Sequence, residues 1–542
     1  MRPIADVAAD MGIDRDHLVP YGDDKAKVRL CAAEGKTPGR LVLVSAITPT
    51  SAGEGKTTTS IGLAQGLARE GHRVCLALRE PSLGPTFGTK GGATGGGRSI
   101  LVPTADINLH FTGDFHAISS ANNLLASLVD NHLHHRLSPG IDPRRVLWRR
   151  VIDLNDRALR HTVIGLGGKL QGVPRETGFD ITPASEVMAA LCLAEDANDL
   201  RARLSNLLVA LTYKGEAVTA GDLQAVGAMM VLLRDTLMPN LVQTVEGVPA
   251  FVHGGPFANI AHGCNSVIAT KMAMAHADWT VTEAGFGFDL GAEKFFDIKC
   301  VSAGLDTAAV VLVATIRALK RHGGVARGDL ERPDAGAVER GLANLQKHIE
   351  NISIFTKRPV VALNHFAGDT KEEIAVVTRC CEKMQVPYAV SDVFSDGGEG
   401  GRALARVLVE HATSRSRAFT PLYDWSAPIK EKMETIARKM YGARKVIYTK
   451  QAEKDLGRIE ELGYAGLPLS VAKAPTSLSD DPTVSGRPTD FDVVVRGLIV
   501  AAGAGMVVPL LGNIMRMPGL SSSPQAFRMD LVNGEITGLL GG

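Results

Sequence analysis

Residues 41–71 place the strongest constraint on what this chain can fold into. LVLVSAI (41–47) is an unbroken apolar run, as expected of a parallel strand buried on both faces. TPTSAGEGKTTTS (48–60) follows it directly. Ile61, Ala64, Leu67 and Ala68 then recur at helical spacing until Gly71 stops the pattern, which predicts a helix from about Thr57 to Glu70. A strand, a glycine loop and a helix in that order make an anion site, because the helix N-terminus aims backbone N–H groups at the loop. Gly53 and Gly55 leave room for phosphate oxygens, Lys56 supplies a cation for the β- and γ-phosphates, and the Thr57 hydroxyl is placed to hold Mg²⁺. The usual frame GxxxxGK[ST] wants glycine where this chain has Thr50. The candidate nucleotide loop is therefore Thr50, Ser51, Ala52, Gly53, Glu54, Gly55, Lys56 and Thr57. The competing reading is a glycine turn that happens to carry GKT.

Short apolar runs return at VCLAL (74–78), AFVH (250–253), WTVTEAG (279–285), AAVVLVATI (308–316), PVVALN (359–364) and YAVSDVF (388–394), mostly with helical segments between. That alternation predicts an α/β fold with a mostly parallel, doubly wound sheet of the P-loop NTPase-like kind. With 542 residues the chain exceeds what one growing core accommodates. Between 141 and 240 the pattern shifts around the helix-rich SEVMAALCLAEDANDLRARL, which predicts an inserted α+β domain. After about Arg417 isolated strands with Pro- and Gly-rich turns predict a smaller C-terminal domain. The expected division is 1–140 with 241–415 as the nucleotide-binding domain, 141–240 as the insert, and 416–542 as the C-terminal domain. The uncharged stretch 497–515 carries Gly503, Gly505, Pro509 and Gly512, so it reads as two strands around a glycine turn rather than a membrane span.

Charge and cysteine usage narrow the function classes. Lys+Arg 59 against Asp+Glu 58 leaves a net charge of +1, without the excess that drives nucleic-acid or anionic-membrane binding. The seven cysteines form no CxxC pair and no regular spacing, which suggests reduced thiols. MRPIADVAADMG has Asp6 and Asp10 where a signal peptide needs an apolar run, so a cytoplasmic protein is expected. Glycine is the one abnormal count, 58 of 542, or about 11% against a usual value of about 7%.

Further motifs sharpen the chemistry. Guanine-selective phosphate-loop proteins use N-K-x-D after a late strand. The corresponding stretch here is Asn364, His365, Phe366, Ala367, and the missing carboxylate favours ATP over GTP; alternatively, Asn364 merely caps a strand end. Arg79 follows the second strand, where ligands bind in open α/β sheets, and suits a bidentate hold on phosphate or carboxylate; a surface ion pair with Glu80 is the plainer reading. The run Lys90–Gly97 is either a linker or a mobile anion-binding segment beside the phosphate loop. His253, His262 and Cys264 lack a fourth ligand at zinc spacing, and His132, His134 and His135 read as a helix surface. Glu283 and Asp289 are candidates for a carboxylate behind Mg²⁺, with a helix N-cap the alternative for Asp289. Phe394 and Trp425, beside glycines or turn residues, are either core or a holder for a flat heteroaromatic ligand.

Taken together these segments resemble the formate–tetrahydrofolate ligase family. VATIRALKRHGG (313–324) is similar to one family signature without departure, and GTKGGATGGGRS (88–99) to the other with Thr94 and Arg98 in place of the usual alanine and tyrosine. The resemblance continues through DINLHFTGD, WRRVIDLNDRALR, GVPRETGFDI, HGGPFANIAHGCNS, GGEGG, SDD (479–481) and MPGL (517–520). It implies an ATP-dependent ligase acting on formate and tetrahydrofolate through formyl phosphate. Lys56 then steadies the transferring phosphoryl group, Arg79 grips the intermediate, and Phe394 and Trp425 stack the pteridine. It also implies Mg²⁺, a monovalent cation such as K⁺ or NH₄⁺, and a homotetramer. The alternatives are another acyl-phosphate-forming P-loop ligase or an ATP-switch protein.

Overall fold

The structure is a computed structural model, and it describes residues 1–50, 53–90, 92–258, 261–415, 418–512 and 514–539. Its centre is a twelve-stranded sheet built from β1 (Leu18–Pro20), β2 (Ala26–Val28), β3 (Arg40–Ala46), β4 (Val74–Leu78), β5 (Gly95–Gly96), β6 (Ser99–Val102), β7 (Asn240–Thr244), β8 (Pro249–Val252), β9 (Trp279–Glu283), β10 (Ala309–Ala314), β11 (Pro359–Asn364) and β12 (Tyr388–Ser391). The order across the sheet is β1-β2-β7-β8-β4-β9-β3-β10-β11-β12, with β6 on β7 and β5 on β6. Every pairing from β8 through β12 is parallel, and those at the β1, β2 and β5–β7 end are antiparallel. The expected mixed α/β architecture around a large, mostly parallel sheet is what the chain forms.

The apolar run at 41–47 explains why β3 lies near the middle. Leu41, Leu43 and Ile47 enter one hydrophobic cluster, whereas Val42, Val44 and Ala46 enter another, so both faces of the strand are buried. The helix α1 (Lys56–Arg69) leaves the strand through the glycine loop. It starts one residue before the periodicity predicts, because Gly55 is its N-cap in the left-handed conformation, φ 73°. Helix α2 (Ile316–His322) follows β10, and helix α3 (Gly398–Arg415) packs directly on α1. A Cβ on Gly66 would stand 2.6 Å from the Gly401 carbonyl, and one on Gly401 would stand 2.3 Å from the Gly62 carbonyl oxygen. Part of the glycine excess is therefore backbone-to-backbone helix packing.

Residues 141–240 contribute a separate three-stranded antiparallel sheet, formed by Ile141–Val146, Leu208–Thr212 and Ala217–Thr219. Its apolar side, with Val209 and Val218, packs against Leu125 and Val129 of the helix Asp114–His135. In the last quarter of the chain Gly497–Ala501 pairs antiparallel with Met506–Leu511, the two strands read from 497–515. Val493, Val495 and Val507 from this region join the same cluster as Leu41 and Leu312 of the central sheet. Among the described residues no helix is long and apolar enough to cross a membrane.

Candidate active site

The parallel register brings the carboxyl ends of β3, β4 and β9 side by side, with β9 paired to both of the others. The phosphate loop leaves β3, Arg79 follows β4, and Glu283 ends β9. Glu283 joins the other two. Its Oε2 accepts a hydrogen bond from the Thr57 hydroxyl at 2.9 Å, and its Oε1 lies 3.6 Å from Arg79 Nη2. With only 4% of Glu283 exposed, this carboxylate holds a fixed place between the loop and the guanidinium. Ser51 and Ala52 of the candidate loop lie outside the described residues, as does Gly91 of the glycine run.

The loop's shape is held from within and from the neighbouring strand. Gly53 and Gly55 have φ of 76° and 73°, a region that side-chain-bearing residues rarely adopt. The Thr50 backbone N–H donates to the buried Glu54 carboxylate at 2.6 Å. Asn364, at the end of β11, donates from Nδ2 to the Glu54 carbonyl at 3.1 Å, and a Cβ on Gly55 would stand 2.5 Å from that same nitrogen. Asn364 is thus a brace for the phosphate loop and not only a strand cap.

Lys56 is half-buried at the start of α1 and makes no ion pair among the described residues. Burial pulls its pKa below that of an ordinary lysine; Glu54 and Glu283 oppose the fall, and Arg79 adds to it. Its ammonium is available for an incoming anion.

The ion pair of Arg79 with Glu80 does not form. Arg79 pairs with Glu283, its Nε has no hydrogen-bond partner among the described residues, and Glu80 is buried instead. Burial pushes the Glu80 carboxyl well above the usual carboxylate range, reinforced by Asp114 and Asp153 and opposed by Lys27. The reason is geometric. The Glu80 backbone N–H bonds to the Gly254 carbonyl at 2.8 Å, and Gly255 approaches so closely that a Cβ would stand 2.3 Å from the Glu80 carbonyl oxygen. These contacts turn residues 79 and 80 to different sides. Gly285 clears the space beside Arg79, since a Cβ there would stand 3.0 Å from Nη1.

Phe394 is 54% exposed and packs on the hairpin of β5 and β6. Its carbonyl accepts from the Arg98 N–H at 2.9 Å, and its ring would lie 3.1 Å from a Cβ on Gly96. Thr94, one of the two departures in this segment, is buried, and its hydroxyl accepts from Asn108 Nδ2 at 3.1 Å. Trp425 is half-buried against the main core, and its indole N–H donates to the Asp297 carbonyl at 2.8 Å. Among the described residues no ring contact joins Phe394 to Trp425.

Two other candidates resolve into structural roles. Asp289 makes a buried ion pair with Lys473 at 3.0 Å and caps no helix, because the turn Phe288–Ala292 begins from Gly287 without a side-chain bond. His253 is held by Ser266 Oγ at 2.7 Å and the Thr236 carbonyl at 2.6 Å. Burial drives the Cys264 thiol up to about 11 and the His262 imidazole well below its ordinary range. Among the described residues no group of three His, Cys, Asp or Glu side chains is arranged to hold a metal ion. His132 bonds to the Pro139 carbonyl at 2.7 Å, and His134 and His135 are exposed at the helix end.

Glu283 as the link between loop and guanidinium is visible in sequence only as a carboxylate at a strand end. Asp392, which meets His365 at 2.5 Å, carries no sequence signal. The family model described as formate--tetrahydrofolate ligase matches residues 1–540.

Proposed function

Because the chain belongs to the formate–tetrahydrofolate ligase family, and so joins formate to tetrahydrofolate using ATP, we propose that the cluster of Lys56, Thr57, Arg79 and Glu283 performs the reaction in two steps through formyl phosphate. The observation that carries this assignment is the shared Glu283 carboxylate, which links the phosphate loop to Arg79.

In the first step a formate oxygen attacks the γ-phosphorus of ATP and ADP leaves. Formate alone is a poor acylating agent because hydroxide would have to depart; phosphorylation makes that oxygen part of a phosphate leaving group. Backbone N–H groups of the loop and the Lys56 ammonium hold the β- and γ-phosphates, and catalysis consists of positioning and charge neutralisation. The Thr57 hydroxyl and the Glu283 carboxylate are hard oxygen donors at the loop's end, the donor type Mg²⁺ takes, and they fit that ion together with the phosphates. Bound there, Mg²⁺ neutralises charge on the phosphate oxygens. Arg79 offers two parallel N–H groups to the new acyl phosphate. In the second step the N10 amine of tetrahydrofolate attacks the formyl carbon, the carbon–oxygen bond to phosphate breaks, and N10 releases its proton.

The strand, glycine loop and helix at 40–69 support a P-loop NTPase-like fold for 1–140 with 241–415, around an insert at 141–240 and ahead of a C-terminal part at 416–542. A homotetramer, a monovalent cation and a cytoplasmic location belong to the same proposal and rest on the resemblance. Supplied with ATP, formate and tetrahydrofolate, the protein is expected to form 10-formyltetrahydrofolate, read as the acid-converted methenyl chromophore. ATP turnover without formate and no chromophore with it would overturn the reading.

For the folate, the exposed Phe394 ring beside the glycine hairpin is the more accessible of the two aromatic candidates. Phe394→Ala and Trp425→Ala are each expected to raise the KM for tetrahydrofolate roughly three- to tenfold with the KM for ATP unchanged, the size of one lost ring contact. An unchanged KM in Trp425→Ala leaves that residue to the core against which it packs.

A further inference from the structure

The ends of β10, β11 and β12 carry a second constellation on the same sheet edge as the phosphate loop. The sheet order β3-β10-β11-β12 is parallel throughout, so these strand ends follow one another away from Lys56. Asn364 already touches the loop, and His365 is the next residue. The His365 backbone N–H donates to the Ser391 carbonyl at 3.1 Å, and its side-chain Nδ1 lies 2.5 Å from Asp392 Oδ1. Beside it, the Arg317 guanidinium lies 3.9 Å from the centroid of the Phe366 ring. Thr315 caps α2 through the Ala318 N–H and so positions the turn that carries Arg317. Asp369 accepts from the Phe366 N–H at 2.9 Å and fixes the ring's backbone.

We propose that this constellation is the nucleobase subsite and that His365 selects adenine by accepting a hydrogen bond from its 6-amino group. The proposal rests on the reading of Gly53–Thr57 as the ATP phosphate loop and extends it to the base. A carboxylate can only accept, so the proton between His365 and Asp392 sits on Nδ1. In the neutral ring that leaves Nε2 with a lone pair and no hydrogen. Among the described residues Nε2 has no partner, and the His365 side chain is 28% exposed, so this acceptor is open to a ligand. Adenine carries a donor at position 6, whereas guanine and hypoxanthine carry a carbonyl oxygen there. An acceptor on the protein matches the first and sets lone pair against lone pair with the other two. The stacked Arg317–Phe366 pair is flat and polarisable and takes any purine face, so it gives affinity without choosing the base.

This changes how the sequence Asn364-His365-Phe366-Ala367 is read. The position that holds a carboxylate in guanine-selective proteins is alanine here, yet a carboxylate still arrives, from Asp392 at the end of the neighbouring strand. It faces the imidazole, and its effect reaches the base through the tautomer it imposes.

ATP and ITP, which differ at the 6-position, are the probes. Titrations of each nucleotide in the absence of formate and folate keep this proposal separate from the ligase reading, because they report on the base site even if no formyl transfer occurs. The full-length protein is expected to bind ATP at least about tenfold more tightly than ITP, the size of one hydrogen bond made against one refused. His365→Ala should bring the two affinities within about threefold of each other by weakening ATP binding. Asp392→Ala removes the acceptor that holds the ring proton on Nδ1, frees that proton to sit on Nε2, and should narrow the preference for ATP over ITP. Arg317→Met should weaken both nucleotides equally. An ATP-to-ITP ratio unchanged in both His365→Ala and Asp392→Ala overturns the proposal. So does a fall in kcat at saturating ATP with the ratio preserved in His365→Ala, which would place the imidazole at the chemistry. His365→Gln, with a smaller volume change, supplies the same measurement if the alanine variant does not fold.

Discussion

Replacing Arg79 with alanine is expected to lower formate-dependent turnover by about 10²- to 10³-fold while leaving ATP affinity within a few-fold, the loss found when one preorganised donor to a developing oxyanion is removed. Arg79 stands at the end of β4, one strand beyond the strand that adjoins the phosphate loop. Among the described residues its Nε has no protein partner, and its one ion pair, to Glu283, is long at 3.6 Å. A guanidinium held by so few bonds has donors left for a ligand, and Gly285 keeps the adjoining space clear of a side chain. The loop, in contrast, is held by Glu54, Asn364 and Glu283, none of which needs Arg79 for its bond to the loop. Calorimetric ATP titration beside single-turnover formation of the formyl product separates the two effects. Parallel losses in both would move Arg79 into the nucleotide site. Arg79→Lys is expected to recover only part of the rate, because an ammonium keeps the charge and loses the two-pronged fork.

How far the site can be read from sequence depends on whether the contact is local. The strand at 40–46, the loop and the helix at 56–69 are contiguous, so apolar periodicity and glycine placement suffice to find them. VCLAL at 74–78 and PVVALN at 359–364 match strand bounds to the residue for the same reason: each is an apolar run buried on both faces. The helix start moves by one residue because the left-handed Gly55 acts as cap, a conformation that periodicity does not register. Arg79 and Glu80 are the instructive failure. Adjacent opposite charges suggest an ion pair, yet the close approach of the Gly254–Gly255 backbone directs Glu80 into a buried cluster with Asp114 and Lys27. Nothing between residues 80 and 254 in sequence announces that approach. His365 and Asp392 are 27 positions apart and meet because two parallel strands end together. Sheet order decides such pairs, and strand order in a parallel sheet is carried by long-range packing rather than by any one segment.

Lys56 is the other position where a single change is expected to remove most of the activity. Lys56→Ala should reduce the first step by about 10²- to 10³-fold and weaken ATP binding as well, which distinguishes it from Arg79→Ala. The ammonium is half-buried at the N-terminus of α1, where the helix dipole and the unpaired backbone N–H groups already favour an anion. Burial lowers its pKa, and the two carboxylates that oppose this, Glu54 and Glu283, are both tied to the loop by hydrogen bonds of their own. The free protein thus carries a cation whose charged form is short of compensation. A triphosphate supplies the missing negative charge, so binding should raise the Lys56 pKa towards the ordinary lysine range. Substrate binding and proton affinity are therefore coupled at this residue: ATP affinity should rise as pH falls through the lowered Lys56 pKa, and Lys56→Ala should abolish that rise. Titrations of ATP across pH with the two proteins test this directly. A pH profile that is the same in both would show that Lys56 keeps its proton throughout. Its role would then be purely one of charge and position, to be read from the loss in kcat alone. Lys56→Arg is not expected to rescue turnover, because the planar guanidinium is larger than the ammonium and the loop around it is closed by Asn364 against Gly55.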